Sequence, residues 1–225
     1  MISIRNTSKK ITYLLTAFIL IFLGNACTKN LQEETVVFKD NFEGKVSPKI
    51  HNAVFSKYNG STVLGRYHTA GFHLFLGSLP PHDLIQVSFD LYIHDNWRGN
   101  SLTGVKEDSD IWIMDFDGRS EKYTTFSNGQ NPLFQNQSYP NNYPFQNNPA
   151  KTNAIKTDLP GACDLKNVAG GTTKYKITRT TYHSADTLQL ICGAQLYAHK
   201  NSTDPICEAS WSVDNLLIKT IRYRD

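Results

Sequence analysis

Between Leu84 and His94 the chain alternates without a break. Ile85, Val87, Phe89, Leu91 and Ile93 occupy one parity, and Gln86, Ser88, Asp90 and Tyr92 the other. Side chains on a strand point to opposite faces in turn, so this pattern predicts a long strand with one apolar face buried. Similar segments predict strands over Thr35–Lys39, Ala53–Tyr58, Thr62–Tyr67, Phe72–Leu76, Asp110–Phe116, Lys122–Phe126, Lys174–His183, Thr187–Tyr197 and Trp211–Ile221. Pro80-Pro81, Asp117-Gly118, Asn128-Gly129 and Gly170-Gly171 punctuate them as turns. No window carries a sustained i, i+3, i+4 apolar stripe. About ten strands without crossover helices imply an all-β, antiparallel sandwich. The expectation is a single domain over residues 35–225. Aromatics at 12% and charged residues at 19% exclude a disordered chain.

Residues 127–157 stand apart. The segment is rich in Asn and Gln, and Pro132, Pro140, Pro144 and Pro149 bar it from a central strand. Phe134, Tyr139, Tyr143 and Phe145 are interleaved with the amides, which argues against a purely solvated linker. It is expected to be a long functional loop, or else a cover folded over a sheet.

The N-terminus looks like an address. Arg5, Lys9 and Lys10 precede an apolar run from Ile11 to Leu23, too short to span a bilayer and suited to a signal-peptide core. Gly24-Asn25-Ala26-Cys27 then resembles a bacterial lipobox, in which the cysteine is acylated after cleavage. Cys27 is thus the expected lipidation site, residues 1–26 the signal peptide and residues 27–34 a tether. The implied location is the bacterial cell envelope, with membrane contact through the lipid anchor only. The alternative is an ordinary secretory signal cleaved near Ala26. Those three basic residues are the only charges ahead of Cys27, so the formal charge of +3 vanishes with the segment. A neutral mature chain argues against nucleic acid as a partner.

Export makes one disulfide plausible among Cys163, Cys192 and Cys207. Cys192 alternates with Leu188, Leu190, Ala194 and Leu196 and reads as a small core hydrophobe. Cys163 and Cys207 lie in loops with Gly and Pro, so they are the favoured pair.

Several segments together resemble extracellular jelly-roll modules of the laminin-G-like and galactose-binding-like type, including carbohydrate-binding modules. They are Asp40-Asn41-Phe42-Glu43-Gly44, Phe89 through Asn100, Asp110-Ile111-Trp112 before Asp117-Gly118, Thr124 through Asn128, Gln137-Ser138-Tyr139-Pro140, and Glu208 through Leu216. The resemblance implies a jelly-roll sandwich. It also implies a structural calcium held by Asp214 on the last strand and Asp40 or Glu43 near the start. The closing motif has its own logic. Trp211 and Val213 share one parity, Leu216 and Ile218 the other, so the phase slips at Asp214-Asn215, as a β-bulge would make it. The alternative is that Asp214 and Asn215 only hydrogen-bond a neighbouring loop.

Asp95, Asp108, Asp110, Asp115 and Asp117 lack calcium-loop spacing and read as solvated turn acids. Enzyme signatures are missing: no Glu-x-Asp-x-Glu run, no Gly-x-Ser-x-Gly elbow and no His-Glu-x-x-His. The better expectation is a sugar-binding face. Trp97, Arg98 and Asn100 on one loop, with Tyr139, Tyr143 and Phe145 on another, offer aromatic planes for C–H faces and polar groups for hydroxyls. The alternative is that Trp97 caps the core and the amide-rich loop only folds over a sheet. The first reading is a non-catalytic, lipid-anchored binder of a glycan or extracellular polymer. The second is a structural or adhesive protein with a protein partner, and the third a glycan-cleaving enzyme.

Overall fold

A computed structural model of the chain describes residues 31–101, 109–196 and 203–223. Cys27 and Asp108 lie outside the described residues. Among the described residues, fourteen strands form two antiparallel sheets and one short hairpin. They are β1 (Leu31–Asp40), β2 (Ile50–His51), β3 (Phe55–Tyr58), β4 (Ser61–Tyr67), β5 (Phe72–Leu76), β6 (Leu84–Asp95), β7 (Asp110–Phe116), β8 (Arg119–Thr125), β9 (Asn136–Gln137), β10 (Asn148–Pro149), β11 (Ala154–Pro160), β12 (Ala169–Tyr182), β13 (Leu188–Leu196) and β14 (Ala209–Tyr223). The larger sheet runs β11-β12-β6-β14-β4-β3, with β1 pairing the second half of β14. The smaller runs β2-β5-β13-β7-β8. From β4 to β7, and again from β8 through β12 and β13 to β14, the chain steps from one sheet to the other. That winding makes the domain an antiparallel sandwich of the jelly-roll type.

The inward parity of each strand fills the space between the sheets. Trp112 of β7 and Trp211 of β14 meet edge to face, centroids 6.2 Å apart, and both are fully buried. Phe72, Phe89, Phe126 and Tyr175 pack around them, each large side chain contributing about 1.5–3 kcal/mol on burial. Cys192 sits in this core, as its parity predicts, and burial pushes its thiol well up. The phase slip is present. Asp214 pairs Asp90, but Leu217 pairs Ser88, so β14 carries one extra residue there. Asn215, at φ 53°, absorbs it.

Four sequence expectations change. The outward parity of β6 is not exposed: Ser88, Asp90, Tyr92 and His94 are all buried. The larger sheet curls so far that the Tyr58 hydroxyl on its β3 edge donates to the Pro160 carbonyl on its β11 edge, at 2.6 Å. Tyr58, Val63, Tyr92 and Leu159 form a second apolar cluster inside that curl. The first strand begins earlier than expected, at Leu31 rather than Thr35, and its Glu34 pairs with Lys219 of β14 at 2.9 Å. Residues 127–157 are not a free loop. They hold a 3-10 turn (Pro132–Phe134), the β9–β10 hairpin and the start of β11. Gly170-Gly171 lies within β12 rather than in a turn. The Asp117-Gly118 turn joins β7 to β8 with both residues at positive φ, the geometry a two-residue hairpin demands.

Candidate functional site

At one end of the sandwich, three connections converge on a cleft of about 350 Å³, walled by Asn96, Trp97, Arg98, Gln130, Asn131, Pro132 and Glu208. Each wall is clamped from behind. After β6, Trp97 is buried and its indole N–H donates to the Ser210 carbonyl at 2.7 Å. The Arg98 backbone is held both ways by Asp110, its N–H donating to Oδ2 (2.8 Å) and its carbonyl accepting from the Asp110 N–H (2.9 Å). Only the Arg98 side chain is left to point away, with its guanidinium 5.5 Å from the centre of the Phe134 ring.

The second wall is the 3-10 turn. Asn131 caps it, its side-chain oxygen accepting from the Leu133 N–H at 2.9 Å. Behind it Asn128 is 1% exposed, and its amide nitrogen reaches the carbonyls of Ile93, Asp95 and Gly171 at 3.0, 2.8 and 3.2 Å. That one side chain ties the loop to the ends of β6 and β12. The third wall is a helical turn, Pro205–Glu208, whose Glu208 carbonyl accepts from the Asn96 N–H at 2.8 Å. Cys207 in this turn forms a disulfide with Cys163. The 163–165 segment is in turn held by Asp95, whose Oδ1 accepts from the N–H groups of Cys163 and Leu165 at 3.1 and 3.0 Å. Burial raises the Asp95 carboxyl despite those bonds.

The residues named from sequence fall into different places. Arg98 lines the cleft. Trp97 lines it too, though little of its side chain is exposed, whereas Asn100 is structural, which corrects its reading as a contact residue. Trp97 is 2% exposed. Asn100 spends its amide on the Gln146 carbonyl and Asn147, and its oxygen on the hydroxyls of Thr125 and Ser138. Gly99 between them leaves no room for a side chain, since a Cβ there would lie 1.9 Å from the Asn136 carbonyl oxygen. Tyr139 packs on Phe126 and Tyr175 and lines a separate, smaller crevice. Tyr143 is half-buried beside Tyr123, and Phe145 is 79% exposed. Asp95 and Asp110 are fully buried, not solvated. Asn96, Gln130, Asn131, Pro132 and Glu208 were not singled out. Pro132 reads from sequence only as a strand breaker, and Gln130 and Asn131 only as part of an amide-rich segment.

The carboxylates expected around calcium are already engaged. Glu43 accepts from the Ser61 hydroxyl (2.6 Å), the Thr62 N–H (2.6 Å) and the Thr62 hydroxyl (2.8 Å), with Lys57 at 3.4 Å. Those donors, Ser61 first, hold its carboxyl down to about 2. Asp40 Oδ1 accepts from the Phe42 N–H. Asp214 reaches Ser61 at 3.3 Å and the Asn215 N–H at 2.7 Å, and burial raises its carboxyl. Thus Glu43 and Asp214 share the Ser61 hydroxyl, while Asp40 is spent on its own turn. Calcium needs six to eight oxygens with free lone pairs, and a Glu43 surrounded by donors does not offer them. Among the described residues, the only three His, Cys, Asp or Glu side chains with ligand atoms within 4.8 Å of one another are Cys163, Asp164 and Cys207, and the two cysteines are oxidised. Across the bulge, Asp90 faces Asp214 in register, but it is neutralised by Lys174 at 2.9 Å and Lys176 at 3.3 Å.

No family model matches the chain, and no curated protein matches it. Among solved structures it is similar to a family 35 carbohydrate binding module from Clostridium thermocellum, with a TM-score of 0.36 and 9% identity over 83% of this chain and 98% of that one. A superposition of that quality carries neither residue roles nor a ligand across.

Proposed function

We propose that this protein is an exported, lipid-anchored, non-catalytic module that binds a glycan or other extracellular polymer in the cleft at the end of its sandwich. The observation that carries this reading is the cleft's lining. Asn96, Gln130 and Asn131 offer amides that can donate and accept, Arg98 donates, Glu208 accepts, and Pro132 adds an apolar wall. Sugar hydroxyls both donate and accept, so this mixture suits them. A volume of about 350 Å³ falls in the range of small-ligand sites. The walls are pre-organised by Asn128, Asp110 and the disulfide, so little conformational freedom is lost on binding. Among the described residues Glu208 is the one carboxylate lining the cleft, whereas hydrolysis of a glycosidic bond usually needs two.

Anchoring through Cys27 rests on Gly24-Asn25-Ala26-Cys27 after a short apolar run. Among the described residues no helix is long and apolar enough to cross a membrane. A glycan array probed with the wild type, Arg98→Ala and Gln130→Ala tests the binding reading. Retention of a glycan that both variants lose supports it, and retention unchanged in both variants overturns the cleft as its seat. For the anchor, Cys27→Ser should release the protein from membranes or block its processing. Unchanged attachment with normal cleavage would end that part of the reading. The exposed Phe145 and Tyr182, each 79% accessible, favour the second reading, a protein partner. Capture of a surface protein that survives both cleft variants but not Phe145→Ser would decide for it.

A further inference from the structure

A second cavity opens beside β12 beyond Tyr175, the register partner of Ala154 at which β11 begins. It holds about 160 Å³ and is lined by Met114, Lys122, Tyr139, Pro140, Ile177, Thr178 and Arg179. Its apolar lining is Met114, Ile177 and the Tyr139 ring. Its ionic groups are of one sign, since none of the lining residues is acidic.

The charges around it do not balance. Arg119 and Arg179 both pair with the buried Glu121, at 2.8 and 2.7 Å, so two guanidiniums face one carboxylate. Lys122 adds a further positive charge. Its ammonium donates to the Pro140 carbonyl at 2.8 Å and has no carboxylate partner among the described residues. Burial, and then the charge of Arg179, pull Lys122 below the ordinary lysine range. A half-buried ammonium held against a like charge is unfavourable unless an anion completes it. The cavity is also lined by two cationic side chains that can donate to such an anion, Lys122 and Arg179.

We propose that this crevice is a second binding site, distinct from the end cleft, which receives an oxyanion group, a carboxylate or a sulfate, between Lys122 and Arg179. The shared chemistry is a planar or tetrahedral anion with several acceptor oxygens, matched by an ammonium and a guanidinium. It can arrive as a substituent of a polymer or as a free anion. Neither source requires the end cleft to bind anything, so the proposal stands apart from that reading.

The test uses calorimetry at low ionic strength with four probes: polygalacturonate, dextran sulfate, unsubstituted dextran and sodium sulfate. Wild type should bind at least one anionic probe, and dextran about tenfold more weakly or not at all. Binding of an anionic polymer names the substituent. Binding of sodium sulfate but neither polymer names the free ion. Lys122→Gln keeps most of the side chain and should weaken anion binding about tenfold and reduce its salt dependence, while Lys45→Gln, an exposed lysine lining neither cavity, should leave it unchanged. Equal binding of all probes, no anion binding, or anion binding that ignores Lys122→Gln would overturn the proposal. If Lys122→Gln does not fold, methyl chemical shifts of the wild type decide. Saturable changes at Met114 and Ile177 with sulfate support the site, and their absence refutes it.

Discussion

Replacing His94 by glutamine should flatten the acid limb of the protein's stability curve. His94 is fully buried within the curl of the larger sheet. Its two ring nitrogens lie 3.0 Å from the Thr172 hydroxyl and 2.7 Å from the Ser212 hydroxyl, and Tyr58 meets it edge-on. A neutral imidazole, one donor and one acceptor, suits two hydroxyls that can rotate to either role. An imidazolium would be a buried charge with Arg66 as its nearest charged influence, and that influence is repulsive. Burial first, then Arg66, holds its pKa down to about 3, against an ordinary 6.5. Because the folded value is the lower one, the unfolded chain takes up a proton below pH 6.5 that the folded chain refuses. Stability is therefore lost as pH falls through the window from 6.5 toward 3. Between pH 6.5 and 4.5 the loss comes to about 2 kcal/mol. Urea denaturation followed by circular dichroism across that range measures it in both proteins. The gap between wild type and His94→Gln should narrow by about 2 kcal/mol toward pH 4.5. The perturbed carboxyls of Glu43, Asp90, Asp95 and Asp214 are present in both proteins and cancel in the difference. Parallel curves would refute the reasoning, because they would mean that folded His94 takes its proton at no cost.

Removing the disulfide with Cys163→Ser and Cys207→Ser should cost about 4 kcal/mol on the chain-entropy account for cysteines 44 residues apart; a loss below 1 kcal/mol in urea would show that the Asp95 clamp holds the loop unaided. Asn128→Ala should cost on the order of 3 kcal/mol, because it strips donors from buried carbonyls, whereas Asn141→Ala on the exposed part of the same segment should stay within about 0.5 kcal/mol; equal effects would mean that the amide-rich segment is not anchored as described. Chelator should leave the melting temperature of the soluble domain unchanged, while Glu43→Gln should lower it by disrupting the Ser61–Thr62 clasp; a chelator-induced drop reversed by calcium would overturn the account of Glu43.

What could be read from the chain itself was whatever depends on local order. Alternation along Leu84–His94 places Phe89 and Leu91 in the core without reference to any other strand. The change of phase at Asp214-Asn215 marks the bulge, and Asp117-Gly118 marks the hairpin, because positive φ at two successive positions is a local demand. The parity of Cys192 removes it from the pairing and leaves Cys163 with Cys207. The candidate site was legible only in part. Arg98 could be named and Trp97 could be read as a core cap, but Asn100 beside them could not be recognised as an anchor. Nothing in their spacing shows that the Ser210 carbonyl and the Thr125 hydroxyl will lie within reach. Glu208 joins the cleft only because the disulfide and the Asn96 N–H bring its turn to the end of β6. Sequence parity also assigns Asp90 and Tyr92 to a solvent face. Tertiary structure reverses that, because strand twist, accumulated over six strands, carries Tyr58 on one edge to Pro160 on the other and closes the outer face over them. Alternation fixes which side of a strand a residue takes, and the curvature of the whole sheet decides whether that side meets water.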